Sequence, residues 1–207
     1  MSTKTASAEN RADYFGVFGL PHKLVLDAAD LENRFHQLSW KLHPDNFAGA
    51  SESERDLAIE RSSQLNDAYR TLREPLSRVE YLLALAGMRK EGQHKQQAPP
   101  ELLEEVFELN ESLDELRGAR RGGGDSGEMA SLRKTLQCAR ENFRSKLGEV
   151  DQSLQQLFAE WDRAVDAGAG SDDAGQKKLM ERMNEALNRR SYIRNLVESV
   201  EKELAEA

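Results

Sequence analysis

The chain has 207 residues, 32% of them charged and 38% hydrophobic, and a net charge of −8 at pH 7. This acidic balance disfavours nucleic acid or an anionic membrane as the main partner, because both attract basic surfaces. The single cysteine, Cys138, excludes an intramolecular disulfide and an all-cysteine metal site. No apolar run approaches the ~20 residues that a membrane-spanning helix needs.

The composition predicts an all-α fold. The chain contains 27 Leu, 23 Ala and 24 Glu, against 8 Val, 2 Ile and 4 Thr. Leu, Ala and Glu lose little side-chain freedom in a helix, whereas β-branched residues favour strands. A fold based on a β-sheet is therefore disfavoured.

The first half begins with a short polar lead, residues 1–12, which we expect to be disordered. Residues 13–20 predict a short helix that ends at Gly19. Asp27 is a suitable N-cap for a second helix, because its carboxylate can accept from the first helical N–H groups. That helix must end just before Pro44, since a residue that precedes proline avoids the α conformation.

A loop over residues 43–50 should follow the second helix. Ser51 and Glu54 then have the spacing of a capping box, which predicts the start of a third helix that ends before Pro75. Residues 76–86 predict one more short apolar helix. Together these elements indicate a first domain over residues 13–86.

The second half predicts a helical bundle. Residues 87–100 are polar and end in two prolines, which indicates a linker. Apolar residues then recur at steps of three and four through three long segments, separated by glycine-rich breaks at 117–128 and 166–176. Three such stripes predict an antiparallel three-helix bundle over residues 101–207. The stripe of the first segment consists of Leu102, Val106, Leu109, Leu113 and Leu116.

The tripeptide His43–Pro44–Asp45 carries the most distinctive chemistry of the first half. It places an imidazole, a fixed φ angle and a carboxylate in a loop between two amphipathic helices. Such a short motif gains meaning from its context. Here a helix that begins Asp-Tyr-Phe precedes it, and a capped helix that ends LNDAYRTLREP follows it.

These features resemble the J-domain, the module through which co-chaperones act on DnaK-class ATPases. The segments DYFGVFGLP, HPDNF, LNDAYRTLREPLSRVEYLLALAG and LLEEVFELNESLDEL resemble, more specifically, the HscB family of iron–sulfur cluster assembly. The resemblance is strongest over residues 13–116. It implies a J-domain joined to a C-terminal three-helix bundle, in agreement with the elements predicted above.

The resemblance implies a chaperone-binding site on the J-domain. His43, Pro44 and Asp45 would dock on the chaperone and trigger ATP hydrolysis there, without being acid–base catalysts themselves. Arg34 and Lys41 lie seven residues apart on one helical face and would meet an acidic patch of the chaperone. Relatives often have a basic residue where this chain has Asn46.

A second binding site is implied on the first bundle helix. Residues 101–115 include seven acidic residues and no basic one, and such self-repulsion favours a basic partner. The family binds the IscU scaffold through an apolar patch rimmed by acids, and Glu104 stands where relatives often have Met or Leu. The alternative is a solvated acidic face with peripheral core residues. The matching residues here are Leu103, Phe107, Glu108, Glu111, Glu115 and, on the last helix, Tyr192.

No feature of the sequence indicates an enzyme, a metal site or a cofactor. His22 has no predicted partner, and His36 is expected on the surface. Cys138 lacks a nearby base and is expected to pack in the bundle rather than act as a nucleophile. His94 lies in the linker.

The resemblance thus implies a co-chaperone that holds an IscU-type scaffold and stimulates a DnaK- or HscA-class chaperone, and we expect it to act in the bacterial cytosol. One alternative is a J-domain protein with a different client, whose bundle is a general protein-binding or dimerising element. Self-association stays possible, because the apolar stripes could pair between chains. A coiled-coil protein with an accidental His-Pro-Asp is a third hypothesis.

Overall fold

The computed structural model describes residues 13–47, 49–89, 99–123, 125–168 and 174–206. Apart from turns and short connections these residues are helical, and no strand occurs among them, so the all-α prediction is confirmed. The predicted disordered lead and residues 90–98 of the predicted linker, including His94, lie outside the described residues. Across the described part of the chain, no helix combines the length and apolar character needed to span a membrane.

The helices follow the predicted order. Two short 3₁₀ turns, Pro44–Phe47 and Pro100–Leu102, lie within this order, and the first of them occupies part of the predicted loop. The α-helices are α1 (Tyr14–Phe18), α2 (Ala28–Lys41), α3 (Glu52–Arg73), α4 (Pro75–Leu85), α5 (Leu103–Gly122), α6 (Ser126–Asp166) and α7 (Ala174–Glu206).

The chain forms two compact units. The first contains the described residues of 1–91 and 158–180, and the second contains those of 92–157 and 181–207. Both long helices, α6 and α7, contribute residues to each unit. The division therefore falls within these helices as well as at the segment between α4 and α5.

The first unit is built on the antiparallel helices α2 and α3. Their packing includes the stacked rings of Phe35 and Tyr69, whose centroids lie 4.2 Å apart. Helix α1 contacts both helices, and the Tyr14 ring stacks on Tyr81 of α4 at 4.3 Å. Offset aromatic pairs of this kind add to the stability that burial alone provides.

Local capping chemistry sets the helix ends as predicted. Gly19 ends α1 in the left-handed conformation, with φ of 62°, which glycine adopts without steric cost. The Asp27 carboxylate accepts from the N–H groups of Ala29 and Asp30 at the start of α2. Both hydrogen bonds of the Ser51–Glu54 capping box are present, so these three predictions are confirmed.

The segment before α2 is held by the end of α6, inside the first unit. The indole Nε1 of Trp161 donates to the His22 carbonyl at 2.7 Å. The Asp162 carboxylate accepts from the N–H groups of Leu24 and Val25 at 2.7 and 2.9 Å. This long-range anchoring explains how a segment without regular structure keeps the Leu24 side chain buried.

The second unit is a three-helix bundle of α5 with the adjoining parts of α6 and α7. All five residues of the predicted α5 stripe are buried. Charged pairs join the helices at their margins: Glu105 with Lys146 at 3.0 Å, and Glu101 with Arg189 at 3.1 Å. Arg190 interrupts the apolar stripe of α7, and its guanidinium binds Asp151 of α6 at 2.5 Å.

The predicted break at 117–128 was too long. Helix α5 continues to Gly122, and α6 begins at Ser126. Arg117 and Arg120 both pair with Glu203 of α7, and arginine itself favours helices. The helix therefore ends only at Gly123, which has φ of 69°.

Candidate functional site

The His43–Pro44–Asp45 tripeptide lies at the end of α2, where the helix gives way to the first 3₁₀ turn. The side chains of His43 and Asp45 are 58% and 89% exposed. Within the loop, the His43 Nδ1 accepts from the Asp45 N–H at 3.3 Å. The imidazole and the carboxylate are therefore presented to solvent in a conformation that the local backbone supports.

Asn46 holds this loop against the end of α2. Its side-chain Nδ2 donates to the Trp40 carbonyl at 2.7 Å, and its backbone N–H donates to the His43 carbonyl at 2.9 Å. From the sequence, Asn46 is recognisable only as a departure from the relatives. Its hydrogen bonds to the end of α2 were missed, because they join residues across the loop.

The two predicted basic residues of α2 lie in different surroundings. The Arg34 guanidinium pairs with Asp30 at 2.8 Å and donates to the Phe18 carbonyl of α1 at 3.1 Å. Lys41, in contrast, is exposed at the last residue of α2, two positions before His43. The structure thus places Lys41 beside the tripeptide, while Arg34 also links two helices of the first unit.

The outer face of α5 exposes two large apolar side chains. Phe107 is 70% exposed and Leu103, one turn earlier, is 55% exposed, although their neighbours Val106 and Leu102 are buried. The prediction that Phe107 lies beside the core stripe is confirmed. Two apolar residues four positions apart lie next to each other on a helix surface.

Exposed acidic side chains lie on the same helix as this apolar pair. Glu104, Glu108, Glu111 and Glu115 are all exposed on the same helix. The two remaining glutamates of residues 101–115, Glu101 and Glu105, instead pair with basic residues of α7 and α6. Hence only part of the negative charge of α5 is compensated by these pairs.

Tyr192 lies on α7 at the level of the first turns of α5. The Glu101–Arg189 and Arg117–Glu203 pairs show that α5 and α7 run in the same direction, with an offset of 86 to 88 positions. Tyr192 follows Arg189 by one turn and is half-buried beside the fully buried Ile193. Its height along the bundle therefore matches that of Leu103 and Phe107.

Two expectations about other reactive side chains were wrong. His22 does have a partner: its Nε2 lies 2.8 Å from Asp13 Oδ2, and its ring forms a T-shaped pair with Phe15. Burial raises the pKa of Asp13, but the Gly16 N–H and the His22 imidazole outweigh it, so the pKa lies below its ordinary value. Cys138 is exposed on α6 and does not pack in the core.

No cluster able to hold a metal ion occurs in the part of the chain that the structure describes. His36, exposed as predicted, lies 3.8 Å from Glu32 on its own helix. A cleft of about 870 Å³ in the second unit is lined by Leu103, Val150, Arg182 and Arg189, among others. It contains no histidine or cysteine.

Comparisons with known proteins found several similar sequences. No family model matches it. The co-chaperone protein HscB homologue of Vibrio vulnificus is 36% identical over 154 residues, which cover 74% of this chain and 85% of that protein. The homologue of Bordetella avium is 35% identical over 147 residues, which cover 71% and 84%.

Two solved structures are also similar. The chaperone HscB from Vibrio cholerae matches with a TM-score of 0.52 and 29% identity, over 92% of this chain and 96% of that one. The human co-chaperone protein HscB matches with a TM-score of 0.55 and 25% identity, over 98% and 86%. These likenesses confirm the predicted fold, a J-domain joined to a three-helix bundle.

Proposed function

The chain belongs to the HscB family of co-chaperones, and from this premise we propose how its two sites act. It is a J-domain co-chaperone of iron–sulfur cluster assembly. Its first unit stimulates ATP hydrolysis by a DnaK- or HscA-class chaperone, and its second unit binds an IscU-type scaffold. The exposed, locally braced His43–Pro44–Asp45 tripeptide is the observation that carries this proposal most directly.

On the chaperone side, the tripeptide acts by contact and not by chemistry of its own. His43 and Asp45 project into solvent, and Pro44 restricts the backbone between them. The Asn46 hydrogen bonds to Trp40 and His43 keep the loop against the helix end. A partner therefore meets a preorganised surface, which lowers the entropy cost of binding.

Basic charge on α2 assists the encounter. Lys41 is exposed beside the tripeptide and attracts an acidic surface of the chaperone. Arg34 adds to the same positive charge on α2, but its guanidinium also binds Asp30 and the Phe18 carbonyl. We expect Lys41 to affect the association rate more than Arg34 does.

On the scaffold side, Leu103 and Phe107 form the apolar centre of the contact. Exposed apolar residues rimmed by polar ones are typical of protein-binding surfaces. Glu108, Glu111 and Glu115 extend the acidic rim along α5, and Tyr192 lies at the matching height on α7. The complementary surface is an apolar patch flanked by lysine or arginine.

Tethering is the mechanism that joins the two sites. A chain that holds the chaperone and the scaffold at once raises their effective concentration toward each other. The ATP chemistry belongs to the chaperone, and no enzymatic activity is assigned to this chain. The bacterial origin of the curated relatives named above supports the bacterial cytoplasm as the place where it acts.

The chaperone-binding site is tested by His43→Gln. Glutamine keeps hydrogen-bonding capacity but loses the imidazole, so we expect stimulation of the chaperone ATPase to fall by at least about tenfold. The matched control is His36→Gln, which replaces an exposed histidine of α2, the helix that leads into the tripeptide, and should change nothing. Full stimulation by the His43→Gln protein would contradict the docking role of the tripeptide.

The scaffold-binding site is tested by Phe107→Ala. Loss of the exposed ring should weaken scaffold binding by roughly 10- to 100-fold in calorimetry, as for a central interface residue. Because the ring is 70% exposed, the thermal unfolding midpoint should stay unchanged. Leu57→Ala, an exposed apolar residue on α3, is the control.

The alternative, a J-domain protein with a different client, predicts another outcome. In that case Phe107→Ala and Tyr192→Ala would leave scaffold affinity as it is, while His43→Gln would still abolish stimulation of the ATPase. Retained affinity in both bundle variants would therefore overturn the scaffold assignment and leave the chaperone-binding role intact.

A further inference from the structure

The two tryptophans of the chain lie in opposite environments. Trp161 is 4% exposed, and its Nε1 donates to the His22 carbonyl. Trp40 is 79% exposed, the largest exposed fraction among the exposed large hydrophobic residues of the described chain. Trp is one of the amphipathic side chains that are enriched where proteins bind one another, so its exposure at a helix end suggests a binding role.

Trp40 lies one turn before the tripeptide. It is the second-last residue of α2, and its carbonyl receives two hydrogen bonds from the loop. Asn46 Nδ2 donates to this oxygen at 2.7 Å, and the His43 N–H donates to it at 3.4 Å. The backbone that carries the indole is thus the same backbone that holds His43 and Asp45 in place.

We propose that Trp40 is a further docking residue for the chaperone, an apolar anchor within the contact made by His43–Pro44–Asp45. This inference rests on the proposed function and adds a specific chemistry to the partner surface. To accept an indole beside Lys41, the chaperone surface must offer an apolar depression next to acidic groups. The tripeptide supplies the polar part of the contact, and the indole supplies apolar area that is buried when the partner binds.

Continuity with the tripeptide favours the chaperone over a second copy of this chain. A chaperone seated on His43 and Asp45 reaches the last turn of α2, because Trp40 is only three residues away. The net charge of −8 also works against pairing of identical chains. Self-association through Trp40 is accordingly kept as an outcome of the test.

Chaperone ATPase activity, titrated with the native chain and its variants, tests the inference. For Trp40→Ala we expect the concentration that gives half-maximal stimulation to rise about tenfold, with a smaller rise for Trp40→Phe. Val25→Ala is the control: it is 62% exposed in the same unit but lies before the start of α2, roughly 20 Å along the helix from Trp40.

The same titration separates the possible failures. If Trp40→Ala leaves the concentration for half-maximal stimulation unchanged while His43→Gln abolishes stimulation, the role of Trp40 is overturned and the proposed function stands. Undiminished stimulation by His43→Gln overturns the proposed function itself. Sedimentation tests for self-association. If the native chain forms dimers that Trp40→Ala abolishes, and ATPase stimulation is unchanged, the inference is overturned in favour of self-association.

A spectroscopic measurement reports on the indole directly. In the full chain labelled with 5-fluorotryptophan, the ¹⁹F shift of an exposed ring differs between H₂O and D₂O, and that of a buried ring does not. We expect the difference at Trp40 to disappear when the chaperone is added, while Trp161 serves as the internal reference. Trp40→Phe assigns the two signals. A difference that persists with saturating chaperone contradicts the inference.

Discussion

Glutamate occupies two opposite environments in the second unit. Glu108, Glu111 and Glu115 are exposed on α5, whereas Glu203 of α7 is buried between Arg117 and Arg120. Hydrogen bonding to Arg117 lowers the pKa of Glu203 although burial opposes this, and the same contact raises the pKa of Arg117. The first set is available to a partner, and Glu203 stabilises the bundle.

The role of Glu203 predicts a pH-dependent loss of stability. Its pKa is lower in the folded chain than the ordinary 4.5, so its contribution is complete above about pH 5 and is lost as the pH falls through the folded value. Glu203→Gln should lower the free energy of unfolding at pH 7 by about 1–3 kcal/mol.

Urea unfolding of the native chain and the variant between pH 7 and pH 3 measures this difference. The free energies of unfolding of the two proteins should converge as the pH approaches 3. Glu108→Gln, which removes an exposed carboxylate, should have the same free energy of unfolding as the native chain at every pH. A difference that is constant from pH 7 to pH 3 would show that the pair with Arg117 is not its source.

Residue-scale prediction succeeded where a local rule applied. Helical periodicity separates exposed Phe107 from buried Val106, and capping rules identify Asp27, Ser51 and Glu54. It failed for His22, whose partner Asp13 lies nine positions earlier, on the other side of α1. The exposed position of Cys138 was also missed, because one step around a helix decides between core and solvent.

At the scale of elements, α6 combines two tasks in one helix. Its early part packs in the bundle, with Phe143 and Val150 buried. Its last turns belong to the first unit, where Trp161 and Asp162 hold the segment before α2. Periodicity predicted the continuous apolar stripe of α6 but could not show that its end serves a different unit.

The anchoring by Asp162 predicts a measurable cost. Asp162→Ala removes the acceptor of two backbone N–H groups and leaves the Leu24 N–H without its partner near a buried side chain. We expect the free energy of unfolding to fall by about 1–3 kcal/mol and the amide exchange at residues 22–26 to become faster.

Asp166→Ala is the control for Asp162→Ala. Asp166 lies one turn later and pairs with Lys23, but its side chain is 64% exposed, and such surface pairs contribute little. Equal exchange rates at residues 22–26 in Asp162→Ala and in the native chain would contradict the anchoring role.

At the scale of the whole molecule, the two proposed sites on one covalent chain have opposite chemical character. The tripeptide site combines an imidazole, a carboxylate and a nearby lysine, and the α5 site combines apolar residues with acids. Composition and periodicity predicted the two helical parts, and the resemblance supplied the candidate residues of both sites. The assignment of the ends of the long helices to the two units was not predictable. It depends on packing between residues that are distant in sequence, such as Leu24 and Asp162.

Mixing two defective chains tests the tethering most directly. Chaperone ATPase activity is measured with the IscU-type scaffold and either the native chain or an equimolar mixture of the His43→Gln and Phe107→Ala proteins. The native chain and the scaffold together should stimulate more than the sum of each alone, because one chain holds both partners. The mixture should show no such synergy, since neither chain has two intact sites. Full synergy in the mixture would contradict the account, because the two sites would then not need to be joined.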